Sequence, residues 1–278
     1  MTVAIVVYKG LIPVVGRILT DDDVISDIKA LIPEAAVRRR MSRILKMAVT
    51  TAVESCGNID NIKDIDSIIT ATGYGCLADS EKFLRNVIEN NEELLNPTPF
   101  IQSTFNTVGG QIALLSKNHC ENITYVNRSH SFEDALLDAY LQIGIEGKER
   151  ILLGTFDEIT ESSNNILERL GAFHKGQKNG EGAIFMELTS NYTEACKIKI
   201  EHIEFSSNVL SQDECINRYA KSKEEKIVYN NFTEYGIYPT VSARIFYEFT
   251  KDLERDEEMI FCNNYLGMSS SIIIVKGV

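Results

Sequence analysis

The stretch Ile123-Thr124-Tyr125-Val126-Asn127-Arg128-Ser129-His130-Ser131-Phe132-Glu133-Asp134-Ala135-Leu136 decides how this chain is read. Its first four residues are β-branched or aromatic, as a short buried strand requires. Polar residues follow, and then Phe132, Ala135, Leu136, Ala139, Tyr140 and Ile143 recur at helical spacing. The reading is a strand, a tight polar elbow and a helix, with Ser129 standing on the elbow.

The same alternation extends outward. Val3–Val7 is a β-branched strand. Residues 37–53 form one amphipathic helix, with Val37, Met41, Ile44, Leu45, Ala48, Val49, Ala52 and Val53 on a single stripe. Pro33 and Glu34 suit its first turn and Gly57 its end. Asp66–Ala71 is a strand running into the Gly73-Tyr74-Gly75 turn. Ser80–Glu89 is a helix with Phe83, Leu84, Val87 and Ile88 directed inward, and Thr107–Ser116 is a further helix. Arg150–Phe156 and Ala183–Leu188 are buried strands. The remainder reads as strand (197–205), helix (211–221), strand (226–230), helix (240–253) and two strands (258–263, 270–276). Alternating strands and helices give an α/β class with a mostly parallel sheet. No low-complexity linker interrupts residues 1–278, so they form one unit, with an N-terminal half (1–190) and a shorter C-terminal half (191–278).

Hydrophobic residues make up 44% and charged residues 24% of the 278, an ordinary globular balance. A net charge of −12 argues against sequence-independent binding to nucleic acid, which needs basic surface. Met1–Val7 is too short an apolar run, and too soon followed by Lys9 and Gly10, to be a signal peptide. No apolar run approaches the roughly 18 residues of a membrane span, and a cytoplasmic protein is expected. The six cysteines (56, 76, 120, 196, 215, 262) are widely spaced and suit reduced, mostly buried thiols. Neither they nor the four histidines (119, 130, 174, 202) have ligand spacing, so no metal and no cofactor are expected.

Several segments, taken in order, resemble the β-ketoacyl synthase branch of the thiolase-like family. They are Thr72-Gly73-Tyr74-Gly75, Pro97-Thr98-Pro99-Phe100 with Gln102 to Gly110, Asp134-Ala135-Leu136, Leu153 to Glu158, Asn179-Gly180-Glu181-Gly182-Ala183, and Phe261 to Ser271. The resemblance implies a thiolase-like layered αβαβα architecture with a shortened C-terminal half. It also implies a chemistry. These enzymes load an acyl group from acyl carrier protein onto a cysteine thiolate, and two histidines then assist decarboxylation and enolate stabilisation. Counting without gaps from Gly110 puts Ser129 at the cysteine position. A hydroxyl is far less ionised than a thiol near neutral pH, so it is no simple replacement. The first histidine falls in a segment shortened here, and the second position is held by Ile237.

Three departures together are similar to the chain length factors, silent partners of active ketosynthases. Chains of this length resemble those of bacterial aryl polyene, flexirubin and dialkylresorcinol pathways. The resemblance implies a heterodimer joined through Ile123–Asn127, including Tyr125 and Asn127. It also implies an acyl tunnel capped from Thr104–Thr107, with Phe105, Asn106 and Thr107 controlling its depth. Arg38, Arg39, Arg40 and Arg43 could dock the acidic acyl carrier protein or simply form a solvated helix face. Two other readings stay open: an acyltransferase or hydrolase using Ser129 with His130, and a homodimeric protein that binds acyl carrier protein. Gly180-Glu181-Gly182 reads as a structural turn, because no Lys-Ser/Thr follows it as in a phosphate loop. Asp157 and Glu158 read as caps of a turn after their strand, and His174 as an exposed loop residue.

Overall fold

A computed structural model of the chain describes residues 3–15, 28–173, 176–221, 225–229, 235–264 and 267–278. His174 and the middle of the 261–271 hairpin lie outside them. Among the described residues there are nine strands: β1 (Val3–Val15), β2 (Ser67–Ala71), β3 (Glu121–Tyr125), β4 (Arg150–Asp157), β5 (Gly180–Thr189), β6 (Ile198–Ser206), β7 (Lys226–Tyr229), β8 (Glu258–Asn263) and β9 (Ser270–Gly277). The helices are α1 (Ile28–Leu31), α2 (Ala35–Arg40), α3 (Arg43–Ser55), α4 (Leu77–Glu89), α5 (Pro97–Gln102), α6 (Thr107–Ser116), α7 (Ser131–Gly144), α8 (Glu161–Arg169), α9 (Gln212–Tyr219) and α10 (Val241–Thr250).

The strands hydrogen-bond in the order β3-β2-β4-β5-β1-β6-β9-β8-β7. Only β2–β3, β2–β4 and β7–β8 pair in parallel, so the sheet is mixed and not mostly parallel. The β1–β6 junction spans Val3–Ile5 against Ile198–Ile200 alone, and on either side of it the pattern repeats. The order β2-β4-β5-β1 is matched by β7-β8-β9-β6, each with one parallel pair followed by two antiparallel pairs. The C-terminal half has no counterpart of β3 among the described residues.

Period-two burial builds the layers. On β5, Ile184, Met186 and Leu188 face a central core shared by α7 and α10, whereas Ala183 and Phe185 face an outer core under α3 and α6. On β9, Ile273 and Val275 join the central core and Ile272 an outer one under α9. Phe132 of α7 packs tilted against Phe246 of α10 with ring centres 5.5 Å apart, and Phe246 meets Phe261 of β8 edge to face at 5.8 Å. Helix, sheet, helix, sheet, helix is the αβαβα arrangement expected.

Several expectations need correction. The single helix over 37–53 is two helices, because Met41 and Ser42 are extended (ψ 130 and 171). The break buries Met41 and turns Arg43 toward β5. Strand β1 runs on to Val15, absorbing Lys9 and Gly10 at an irregularity in its pairing with β5. Gly180-Glu181-Gly182 is no turn, since it opens β5. Leu84 and Ile88 of α4 are not inward; they are 61% and 77% exposed. Helix α8 is an addition to the expected elements; its capping box pairs Thr160 with Ser163 and not with the usual Glu or Gln.

Candidate functional site

Strand β3 delivers the chain to the elbow, where Arg128 takes a left-handed conformation (φ 49) and Ser129 sits in a single 3-10 turn before α7. Non-glycine residues seldom adopt that conformation. Ser131 holds it: its hydroxyl accepts from Asn127 N at 2.8 Å and lies 2.9 and 2.8 Å from the carbonyls of Thr72 and Arg128. Ser129 is buried (5% exposed), and its carbonyl accepts a 3.0 Å hydrogen bond from Asn263 Nδ2.

Asn263 also donates to Glu133 Oε1 at 2.7 Å. Glu133 lies on the first turn of α7, fully buried, with Oε2 unpartnered among the described residues. Burial pushes its pKa up from 4.5 to about 7, against the pull of Asn263; Asp134 adds to the rise. His130 Nε2 is 2.8 Å from Ser269 Oγ in the closing hairpin. Burial lowers the His130 pKa, and Asp134 opposes that.

A carboxyl whose folded pKa exceeds its unfolded one costs stability when it ionises. For Glu133 the cost is absent below pH 4.5, grows up to about pH 7 and is constant above. Glu133→Gln is therefore expected to gain relative to wild type as pH rises, by up to about 3 kcal/mol. Denaturant titrations at pH 4.5 and pH 7 check this, and an unchanged difference between the two proteins would refute it.

Asp157, at the end of β4, is buried and braces the glycine turn. Oδ1 accepts from Thr72 Oγ1 (2.9 Å), Gly73 N (3.0 Å) and Tyr74 N (2.8 Å). Oδ2 accepts from Thr240 N (3.0 Å) and Thr240 Oγ1 (2.8 Å), which ties the C-terminal half to the N-terminal half beside the elbow. A Cβ at Gly73 would come within 2.1 Å of Pro239 Cβ, so only glycine admits that approach. Ile237 is buried and pinned by its backbone to Lys178 and Gly180.

The remaining site candidates divide between exposed and committed. Phe105 is 48% exposed and covers Gly75, whose φ is +67. Asn106 Oδ1 accepts from Thr124 Oγ1 of β3, and Thr107 Oγ1 donates to the Ile101 carbonyl. Tyr125 packs half-buried on the central core, and Asn127 Nδ2 donates to Asp134. Arg39 and Arg40 are exposed. Arg38 is half-buried and donates to the Ile32 and Pro33 carbonyls. Arg43 is drawn into the protein, making a bidentate pair with Glu181 at 2.7 and 2.8 Å and approaching Glu158 at 3.4 Å. Among the described residues no cluster of three His, Cys, Asp or Glu could hold a metal, and no helix is long and apolar enough to cross a membrane.

The residues that sequence reasoning missed are Glu133, Asn263 and Thr240. An acid in a first helical turn is ordinarily a solvated partner of the helix dipole, so nothing local marked Glu133 as buried. Asn263-Asn264 ending an apolar strand was the available signal.

A family model for the N-terminal domain of β-ketoacyl synthase matches residues 20–211. The chain belongs to that family. The ishigamide ketosynthase/chain length factor shares the fold with a TM-score of 0.65 at 14% identity, over 91% of this chain and 85% of the other. A ketosynthase in complex with its chain length factor from Xenorhabdus doucetiae gives 0.60 at 14% identity, over 99% of both chains. A β-ketoacyl synthase from Burkholderia phymatum gives 0.68 at 13%, over 99% and 100%. No curated protein matches the chain.

Proposed function

We propose that this family member is a condensation-silent subunit, a chain length factor that pairs with an active ketosynthase and shapes its acyl tunnel. The reaction served would be acyl-carrier-dependent synthesis of a polyene or fatty-acyl-type polyketide. The observation that supports the reading is a serine, Ser129, on the strand-to-helix elbow where the family resemblance places the nucleophilic cysteine. A serine there needs an adjacent base to attack a thioester, and the neighbouring His130 directs Nε2 to Ser269. Ile237 in place of the second histidine supports the same conclusion.

Partner binding has support of its own. Among the described residues strand β3 is an edge that pairs with β2 alone, and such an edge invites another strand. Around it Val126, Phe105, Ile101, Phe100 and Leu114 are exposed, an apolar surface that a partner subunit would cover. Arg39 and Arg40 remain the exposed candidates for carrier-protein docking.

Co-expression with a cysteine-bearing ketosynthase from the same organism should yield a stable one-to-one complex, and failure to associate would sink the proposal. In that complex Phe105→Ala should lengthen the product. Unchanged product length would exclude gating by this side chain. Incubating the isolated protein with an activated acyl thioester should leave its intact mass unchanged; acylation at Ser129 would favour the acyltransferase or hydrolase reading instead.

A further inference from the structure

Cys215 of α9 and Cys262 of β8 stand 47 residues apart in sequence, yet their sulfurs meet at 2.9 Å. That is closer than the roughly 3.5–4.0 Å at which even non-bonded carbons pack best. Both are buried in the outer core with Leu210, Ile260 and Ile272. The backbones carrying them are clamped from both sides. The capping box of Ser211 and Glu214 fixes the start of α9. Asn264, just past β8, donates to the Leu210 carbonyl at 3.1 Å and to the Tyr229 hydroxyl at 2.7 Å, and that hydroxyl donates to the same carbonyl.

We propose that Cys215 and Cys262 are a redox-modifiable thiol pair that a peroxide converts reversibly to a disulfide, stapling α9 to the end of β8. Cys215 is the sulfur that reacts first. The hydrogen bond between the two thiols lowers the Cys215 pKa, and Arg218 adds a smaller pull in the same direction; burial and Glu214 oppose them. The Cys215 thiolate attacks one peroxide oxygen, breaking the O–O bond, releasing hydroxide and leaving a sulfenic acid. Cys262 then attacks that sulfur, and its proton leaves with the departing hydroxyl as water. In sum, two thiols and one hydrogen peroxide give one disulfide and two waters. A dithiol reductant restores both thiols by exchange.

The staple would bear on the Ser129 elbow, because the residue after Cys262 is Asn263, which holds the Ser129 carbonyl and Glu133. This inference does not depend on the chain length factor reading. Cys120, the half-buried cysteine, serves as the internal comparison.

The test is treatment of the full-length protein with hydrogen peroxide, alkylation of remaining thiols under denaturing conditions, and digestion without reduction. Mass spectrometry should find the Cys215 and Cys262 peptides joined, lighter than their sum by two hydrogens, and parted again by dithiothreitol. The thermal midpoint of the oxidised protein should rise and fall back on reduction, with no rise in Cys215→Ala. Recovery of both peptides alkylated while Cys120 is oxidised would overturn the proposal. So would over-oxidation of either thiol to a sulfinic or sulfonic acid without a linked peptide.

Discussion

Replacing Asp157 with alanine is expected to cost about 3–5 kcal/mol of folding stability, the range seen when a buried polar network loses its acceptor. Five hydrogen bonds converge on this one buried carboxyl, three of them from backbone N–H groups of Gly73, Tyr74 and Thr240. Those amides cannot rotate to find another acceptor, and each one left buried without a partner costs about 1–3 kcal/mol. Burial pushes the Asp157 pKa up, while Tyr74, Thr240, Thr72 and Gly73 pull it back. Asparagine does not rescue the site, because its amide would turn N–H groups toward one set of donors. Urea unfolding of Asp157→Ala, Asp157→Asn and Thr240→Val separates these contributions. A loss under about 1 kcal/mol for Asp157→Ala would show that the brace is dispensable.

Glu181→Ala comes second, with an expected loss of about 3–5 kcal/mol, because it strands a largely buried guanidinium. Glu181 is the bidentate partner of Arg43, and its Oε2 also accepts from Ile159 N at 2.7 Å. Glu158 is a poor substitute. It stands 3.4 Å from Arg43, and its other oxygen is taken by Ala78 N at the start of α4. Burial pushes the Glu158 pKa up to about 7, Ala78 N and Arg43 pull it down, and Asp79 and Glu181 add to the rise. Removing Glu181 should therefore lower the Glu158 pKa as well as the stability. Arg39→Ala, on the exposed side of α2, should change stability by less than about 0.5 kcal/mol. Equal effects of Glu181→Ala and Arg39→Ala would exclude a structural role for the Arg43 pair.

These two acids show where sequence reasoning reached its limit. Gly180-Glu181-Gly182 and Leu153 to Glu158 were recognisable as family segments, but Asp157 and Glu158, expected to cap the turn after their own strand, instead reach the glycine turn at 72–75, Thr240, Ala78 and Arg43. What could not be read was which partner each acid would meet. Arg43 lies 138 residues from Glu181, on a helix face that by spacing alone looked solvated. Likewise, Leu84 and Ile88 have helical spacing, but spacing does not say whether a second layer covers that face. On α4 none does among the described residues.

The sequence by itself determined the α/β class, nearly every strand and helix, and the strand-to-helix elbow that carries Ser129. Those features follow from local periodicity and from residue identity, which a linear reading captures. Tertiary structure decided the direction of strand pairing, the burial of Glu133, the alliance of Arg43 with Glu181, and the meeting of Cys215 with Cys262. Each of these depends on contacts between distant segments, whose free energies appear only once the layers close and water is excluded.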